Sequence, residues 1–164
     1  MPNSSIIEDI KTRVQMDILQ DPLMVQVIDA NDVDDSDVSN LIGTHIFTFA
    51  QNPNMIQESG TFLTIQVHIP QYETPDYRWV HPVLEIWIIS HNKHMRVDNI
   101  PRVRANRNDF MSQLLDEKFN GSTEFGYGQM YLQLNTEGVH GDNSDYLYRR
   151  MVFVTKDLSR PVCR

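Results

Sequence analysis

The chain has 164 residues, 40% hydrophobic and 9% aromatic, a size and composition suited to one domain with its own core. Its formal charge of -8, from 22 acidic against 14 basic side chains, argues against a surface built to grip a phosphate backbone. With Cys163 as its one cysteine it has no means of forming an intramolecular disulfide or a Cys-based zinc site, and no apolar run reaches the roughly 18 residues of a membrane span. The expectation is a soluble, single-domain protein of a reducing compartment, folded over residues 5–157, with a flexible tail at 158–164.

Ser5 followed by Glu8 has capping-box spacing, and Ile6, Ile10, Val14 and Ile18 recur at every fourth position, which predicts an amphipathic helix over residues 5–20. Asp21-Pro22 combines an N-cap residue with a proline tolerated in the first turn. Residues 23–28 therefore either open a second short helix or continue the first past a kink. Residues 29–40 hold Asp29, Asp32, Asp34, Asp35 and Asp37 among Asn and Ser, too polar to bury, and read as an exposed acidic loop. Residues 44–50 are β-rich and are closed by the turn formers Asn52-Pro53-Asn54.

The alternation of Leu63, Ile65, Val67 and Ile69 with Thr64, Gln66 and His68 predicts a strand over 61–69 with one core face and one wet face. Pro70 ends it, and the polar stretch 71–78 is a connecting loop. Residues 83–91 form a continuous apolar run, as in a central strand or one covered on both faces. A second helix is predicted over 102–119, with Val103, Phe110, Met111, Leu114, Leu115 and Phe119 along one side and Gly121 at its stop. Two strands, 128–135 and 145–155, flank a polar turn at 136–144. This order predicts an α+β fold, with a mixed or mainly antiparallel sheet packed by the N-terminal helix and the second long helix on one face.

The chemistry-bearing patterns favour plain readings. His81, His91 and His94 are the closest histidines, but Asp98 is their only local acid, so a structural or surface role outweighs a metal site. The acidic loop has neither the glycine nor the closing glutamate of a calcium-binding hand. Phe125-Gly126-Tyr127-Gly128 leads into a strand without a lysine, which fits a tight turn better than a phosphate loop. No Gly-x-Ser-x-Gly elbow occurs, and Asp116 and Glu117 are adjacent on a helix and diverge. The expectation is a protein with no catalytic site, no metal and no cofactor.

Arg96, Arg102, Arg104 and Arg107 gather where the second long helix is predicted to open, against the preference of helix N-termini for acids. A feature held against a local preference can serve a contact, so Arg102, Arg104 and Arg107 are candidate subunit-interface residues facing an acidic loop on a neighbouring copy. Phe125 and Tyr127, in or beside loops, are candidate anchors of the same interface. Asp32, Asp34, Asp35 and Asp37 are candidates for a channel-lining or partner-facing acidic loop.

Residues 6–19, the strand 61–69, the run Leu84-Glu85-Ile86-Trp87-Ile88-Ile89-Ser90-His91, residues 104–115, and Tyr131-Leu132-Gln133-Leu134 with Tyr148-Arg149-Arg150-Met151-Val152-Phe153 follow one another in an order that resembles the tail terminator (tail-completion, neck) proteins of long-tailed bacteriophages. The resemblance implies a structural virion subunit whose copies form a ring, usually of about six, that caps the tail tube and joins the tail to the head connector. It implies assembly in the host cytoplasm, a place in the tail or neck of the virion, DNA passing through without specific binding, and no cofactor or membrane. An acidic channel wall would repel DNA phosphates, a role open to the Asp32 to Asp37 loop. A head-completion or stopper neck protein and a non-viral adaptor module share the same texture.

Overall fold

The computed structural model describes residues 3–29, 37–51, 59–70, 81–125, 128–141 and 145–156. Helix α1, Asn3–Leu19, carries the predicted isoleucine and valine stripe inward: Ile6, Ile10, Val14 and Ile18 are all buried. Because the helix is already formed at Asn3, Ser5 lies inside it and does not cap it. Helix α2, Pro22–Ile28, is capped by Asp21, whose carboxylate accepts from the N–H groups of Leu23 and Met24 at 3.0 and 3.2 Å. It ends at Asp29, which stands in the left-handed region at φ 50°.

Five strands form one sheet in the order β1-β2-β3-β5-β4. Strand β3, Val83–His91, occupies the centre that its continuous apolar run predicted, between β2, Thr61–His68, and β5, Tyr146–Lys156, antiparallel to both. Strand β4, Gln129–Val139, pairs antiparallel with β5. On the far side β1, Ile46–Phe47, runs parallel to β2, so only two residues of the predicted β-rich segment 44–50 enter the sheet.

Both long helices lie on one face, as predicted. There Leu63, Ile65, Ile86, Ile88, Met151 and Phe153 meet the α1 stripe and Met111, Leu115 and Phe119 of α3, Arg107–Phe119. Each such side chain taken fully out of water contributes about 1.5–3 kcal/mol, which makes this layer the main source of stability. The opposite face corrects the expectation that β2 is wet on one side. Phe47, Phe62, Ile89 and Tyr146 form a second apolar cluster there, with Trp87 and Tyr148 packed against it, and Thr64 is buried as well. Of the polar side chains in the alternation, His68 is the exposed one.

Helix α3 begins five residues later than predicted. Residue 101 is proline, Arg102 takes a left-handed φ of 69°, and the first turn is organised instead by Asn106, whose Oδ1 accepts from the Asp109 N–H at 2.8 Å. The Asn106 amide in turn donates to the Asp109 carboxylate at 2.6 Å. Arg102 and Arg104 therefore precede the helix, and Arg107 alone of the basic cluster belongs to it. At the other end Gly121, at φ 85°, follows the last turn as expected. Strand β4 continues through residues predicted as turn, reaching Val139 across a bulge between Leu132 and Leu134. The predicted loop 71–78 and tail 158–164 lie outside the described residues, as do 30–36 of the acidic loop; Val38–Leu41 forms a 3-10 turn.

Candidate functional site

The basic cluster does not act as one surface. Arg107 is 2% exposed, and its guanidinium is used inside the chain: Nε donates to the His94 carbonyl at 2.6 Å, one terminal nitrogen to the Val27 carbonyl, and the other to the Arg96 carbonyl at 2.8 Å and the Asp29 carboxylate at 3.3 Å. This planar fork ties the end of α2, the 3-10 turn Asn92–His94 and the start of α3 into one junction. Asn99 reinforces it by donating to the Gln26 carbonyl at 2.5 Å. The complementarity expected between copies is thus partly met within one copy, since Asp29 at the head of the acidic stretch pairs with Arg107.

Arg102 and Arg104 project from the loop that this junction anchors; both are exposed, and among the described residues neither has an ion-pair partner. Arg96 is also exposed and pairs with Asp98 at 2.6 Å. Phe125 is 3% exposed and packs on the Phe119 ring at a centroid distance of 5.9 Å, so it serves the core and offers nothing to a neighbour. It sits by the C-terminal end of α3, one helix length of roughly 18 Å from the Arg107 end. Tyr127, Asp32, Asp34 and Asp35 lie outside the described residues, and Asp37 caps the 3-10 turn by accepting from the Ser39 N–H at 3.1 Å.

A buried polar chain runs from the junction into the sheet. His94 Nδ1 lies 2.9 Å from the Thr61 hydroxyl, which lies 2.8 Å from the Ser90 hydroxyl, which donates to Asn108 Oδ1 at 2.6 Å; the Asn108 amide then reaches the Leu147 carbonyl at 3.2 Å. His94 Nε2 sits 3.5 Å from the Asp29 carboxylate without hydrogen-bond geometry. Burial, then the Arg107 charge, push the His94 imidazole below its ordinary range, against the pull of Asp29. Carboxylate, imidazole and hydroxyl follow one another here as in a nucleophilic triad, but Thr61 is 0% exposed, so its hydroxyl meets no substrate in this fold. The chain holds α3 to the sheet. Among the described residues no group of His, Cys, Asp and Glu is placed to hold a metal ion, and no helix is long and apolar enough to cross a membrane.

The sequence reading missed the open edge of the sheet. Bonded and non-bonded pairs alternate along an antiparallel ladder. Before the bulge the backbone of β4 turns outward at Met130 and Leu132, where residues 120–122 cover it: Gly121 N–H donates to the Met130 carbonyl at 2.7 Å, Met130 N–H to the Ser122 carbonyl at 2.9 Å, and Leu132 N–H to Asn120 Oδ1 at 3.1 Å. Beyond the bulge the phase changes. His140 N–H donates to the Tyr146 carbonyl at 2.9 Å, so counting back in twos Gly138, Thr136 and Leu134 bond to β5, while Asn135, Glu137 and Val139 turn their backbone groups away from it. No described residue meets those groups. Val139 is 51% and Leu134 36% exposed beside them.

Arg149 of β5 supports this edge from the helical face, donating to Asn135 Oδ1 at 3.0 Å, to Glu137 at 2.8 Å and to Asp109 of α3. On the other face Arg150 forks onto Glu85 at 2.8 and 3.1 Å with its guanidinium 5.4 Å from the Trp87 ring centre. Burial raises the Glu85 carboxyl, but the hydrogen bonds from Arg150 and Trp87 outweigh it and hold the group below the usual carboxylate range.

Fold and edge together define an α+β protein with one sheet, helices on one face and an open strand at one end. The profile of the YomW family matches residues 14–155, most of the chain, and the chain belongs to that family. The family name is that of a phage-derived protein, and the chain is accordingly phage-associated. No curated protein and no solved structure matches it.

Proposed function

We propose that the protein is a structural subunit of the phage particle, a tail terminator whose copies close into a ring that caps the tail tube and joins the tail to the head connector. The observation that carries this reading is the anchored basic loop. Arg107 fixes its base in the core, Arg102 is held at a left-handed φ of 69°, and Arg102 and Arg104 are exposed and have no ion-pair partner among the described residues, which suits them to an acidic surface. A non-glycine residue in that conformation carries strain that its surroundings must impose, which preorganises the projection. Membership in a phage-associated family supplies the context. In this reading the protein performs no catalysis and needs no cofactor; its partners are copies of itself, the tube and the connector, it resides in the tail or neck after assembly in the host cytoplasm, and DNA passes it without specific contacts.

Light scattering across a concentration series, with negative-stain imaging, tests the proposal. Rings of about six copies that are lost in the double reversal Arg102→Glu, Arg104→Glu are the expected result. A stopper or other neck protein would bind isolated connectors in preference to tail tubes. A strict monomer that binds neither tubes nor connectors would overturn the reading in favour of an adaptor.

A further inference from the structure

We infer that the open edge of β4 is a self-recognition site, at which two copies of this chain pair antiparallel about a two-fold axis at Thr136. Two edges bound the sheet. At β1 the outer side is closed by the chain's own turn: Gly43 N–H donates to the Ile46 carbonyl at 3.0 Å, and Ile42 bridges Ile46. At β4 residues 120–122 cover the strand as far as Leu132, and no described residue covers 133–139. Pairing of this β4 stretch with its own copy gives an isologous contact.

Length and charge select the register. The midpoint of 133–139 is Thr136, so centring there uses the whole open stretch. It sets Asn135 opposite Glu137 of the second copy, both with outward backbone groups able to exchange two bonds, and it sets Thr136 opposite Thr136, a favourable cross-strand pair. Centring one residue later would oppose Glu137 to Glu137. The chosen register instead brings Glu137 beside the Asn135 and Arg149 group of the second copy, which already binds Asn135 Oδ1 at 3.0 Å. A chain of net charge -8 resists self-association over most of its surface, but the sole charge in β4, Glu137, is paired at 2.8 Å with Arg149, which it shares with Asp109. Leu134 and Val139 supply apolar area at the rim.

The contact is independent of the ring reading, because a cyclic ring is built from heterologous contacts. The test uses the full chain with Cys163→Ser as background. Thr136→Cys is expected to give a covalent dimer under mild oxidation, whereas Glu137→Cys, whose opposite residue is Asn135, is expected to stay uncrosslinked. Glu137→Pro removes an outward N–H and spares the β5 ladder; it is expected to weaken dimerisation at least about tenfold in a concentration series with unchanged circular dichroism. Crosslinking through Glu137→Cys and not Thr136→Cys would overturn the register. A wild-type chain that stays monomeric, or large species of unchanged mass in Glu137→Pro, would overturn the contact itself, the latter while leaving the ring intact. Should Glu137→Pro fail to fold, the cysteine pair decides alone.

Discussion

Arg107 shows how one side chain can look like a surface cation and serve as a structural clamp. Its three carbonyl acceptors, Val27 at the end of α2 and His94 and Arg96 just before α3, come from two segments far apart in sequence, and all three would lose a charged donor together. Arg107→Met should therefore cost at least about 3 kcal/mol in denaturant unfolding, and Arg107→Lys should recover little of it because an ammonium cannot fork to all three. His94, next to it, sets a pH dependence. Its folded pKa lies below the unfolded value of 6.5, so the unfolded chain binds the proton more readily than the native one. Its stabilising contribution is complete above that value and declines as pH falls through it. Denaturation midpoints measured from pH 8 to 5 should fall on the acid side in the wild type, and this slope should flatten in His94→Gln.

At the level of elements, the parts that the sequence announced are those whose burial follows from local spacing: the four-residue stripe of α1, the apolar run of β3, and Gly121 at the end of α3. The start of α3 was also written locally, in Asn106 followed three residues later by Asp109, but the arginines and Val103 drew the boundary forward. The second apolar face of β2 was not legible, because Thr64, Gln66 and His68 read as polar whatever lies above them. The β4 edge depends on pairing order and on a bulge, neither of which has a one-dimensional signature. Strand β4 also contains a point of close approach. A Cβ at Gly138 would lie 2.9 Å from the Tyr148 hydroxyl oxygen, and that ring already packs on Trp87 at 4.8 Å. Gly138→Ala should cost about 1–3 kcal/mol and alter tryptophan emission as Tyr148 shifts against Trp87.

For the whole molecule the two modes of self-contact have different physics. Contacts made by Arg102 and Arg104 with acidic surface should weaken as salt rises from roughly 0.05 to 1 M, because exposed charges are screened over a few ångströms at the upper end. Pairing through β4 rests on backbone hydrogen bonds and should persist. Mass measured across that salt range therefore separates them: a large species that collapses to a dimer identifies both at once. Of the candidate site, the basic and acidic segments could be named from sequence, but their inward share could not, since Arg107 and Asp29 are 78 positions apart. The turn that folds Ile42 and Gly43 over β1 has one more effect. With the outer side of β1 taken up by that turn, two sheets joined through β4 present no free β1 strand for a further copy, so pairing through β4 stops at two copies.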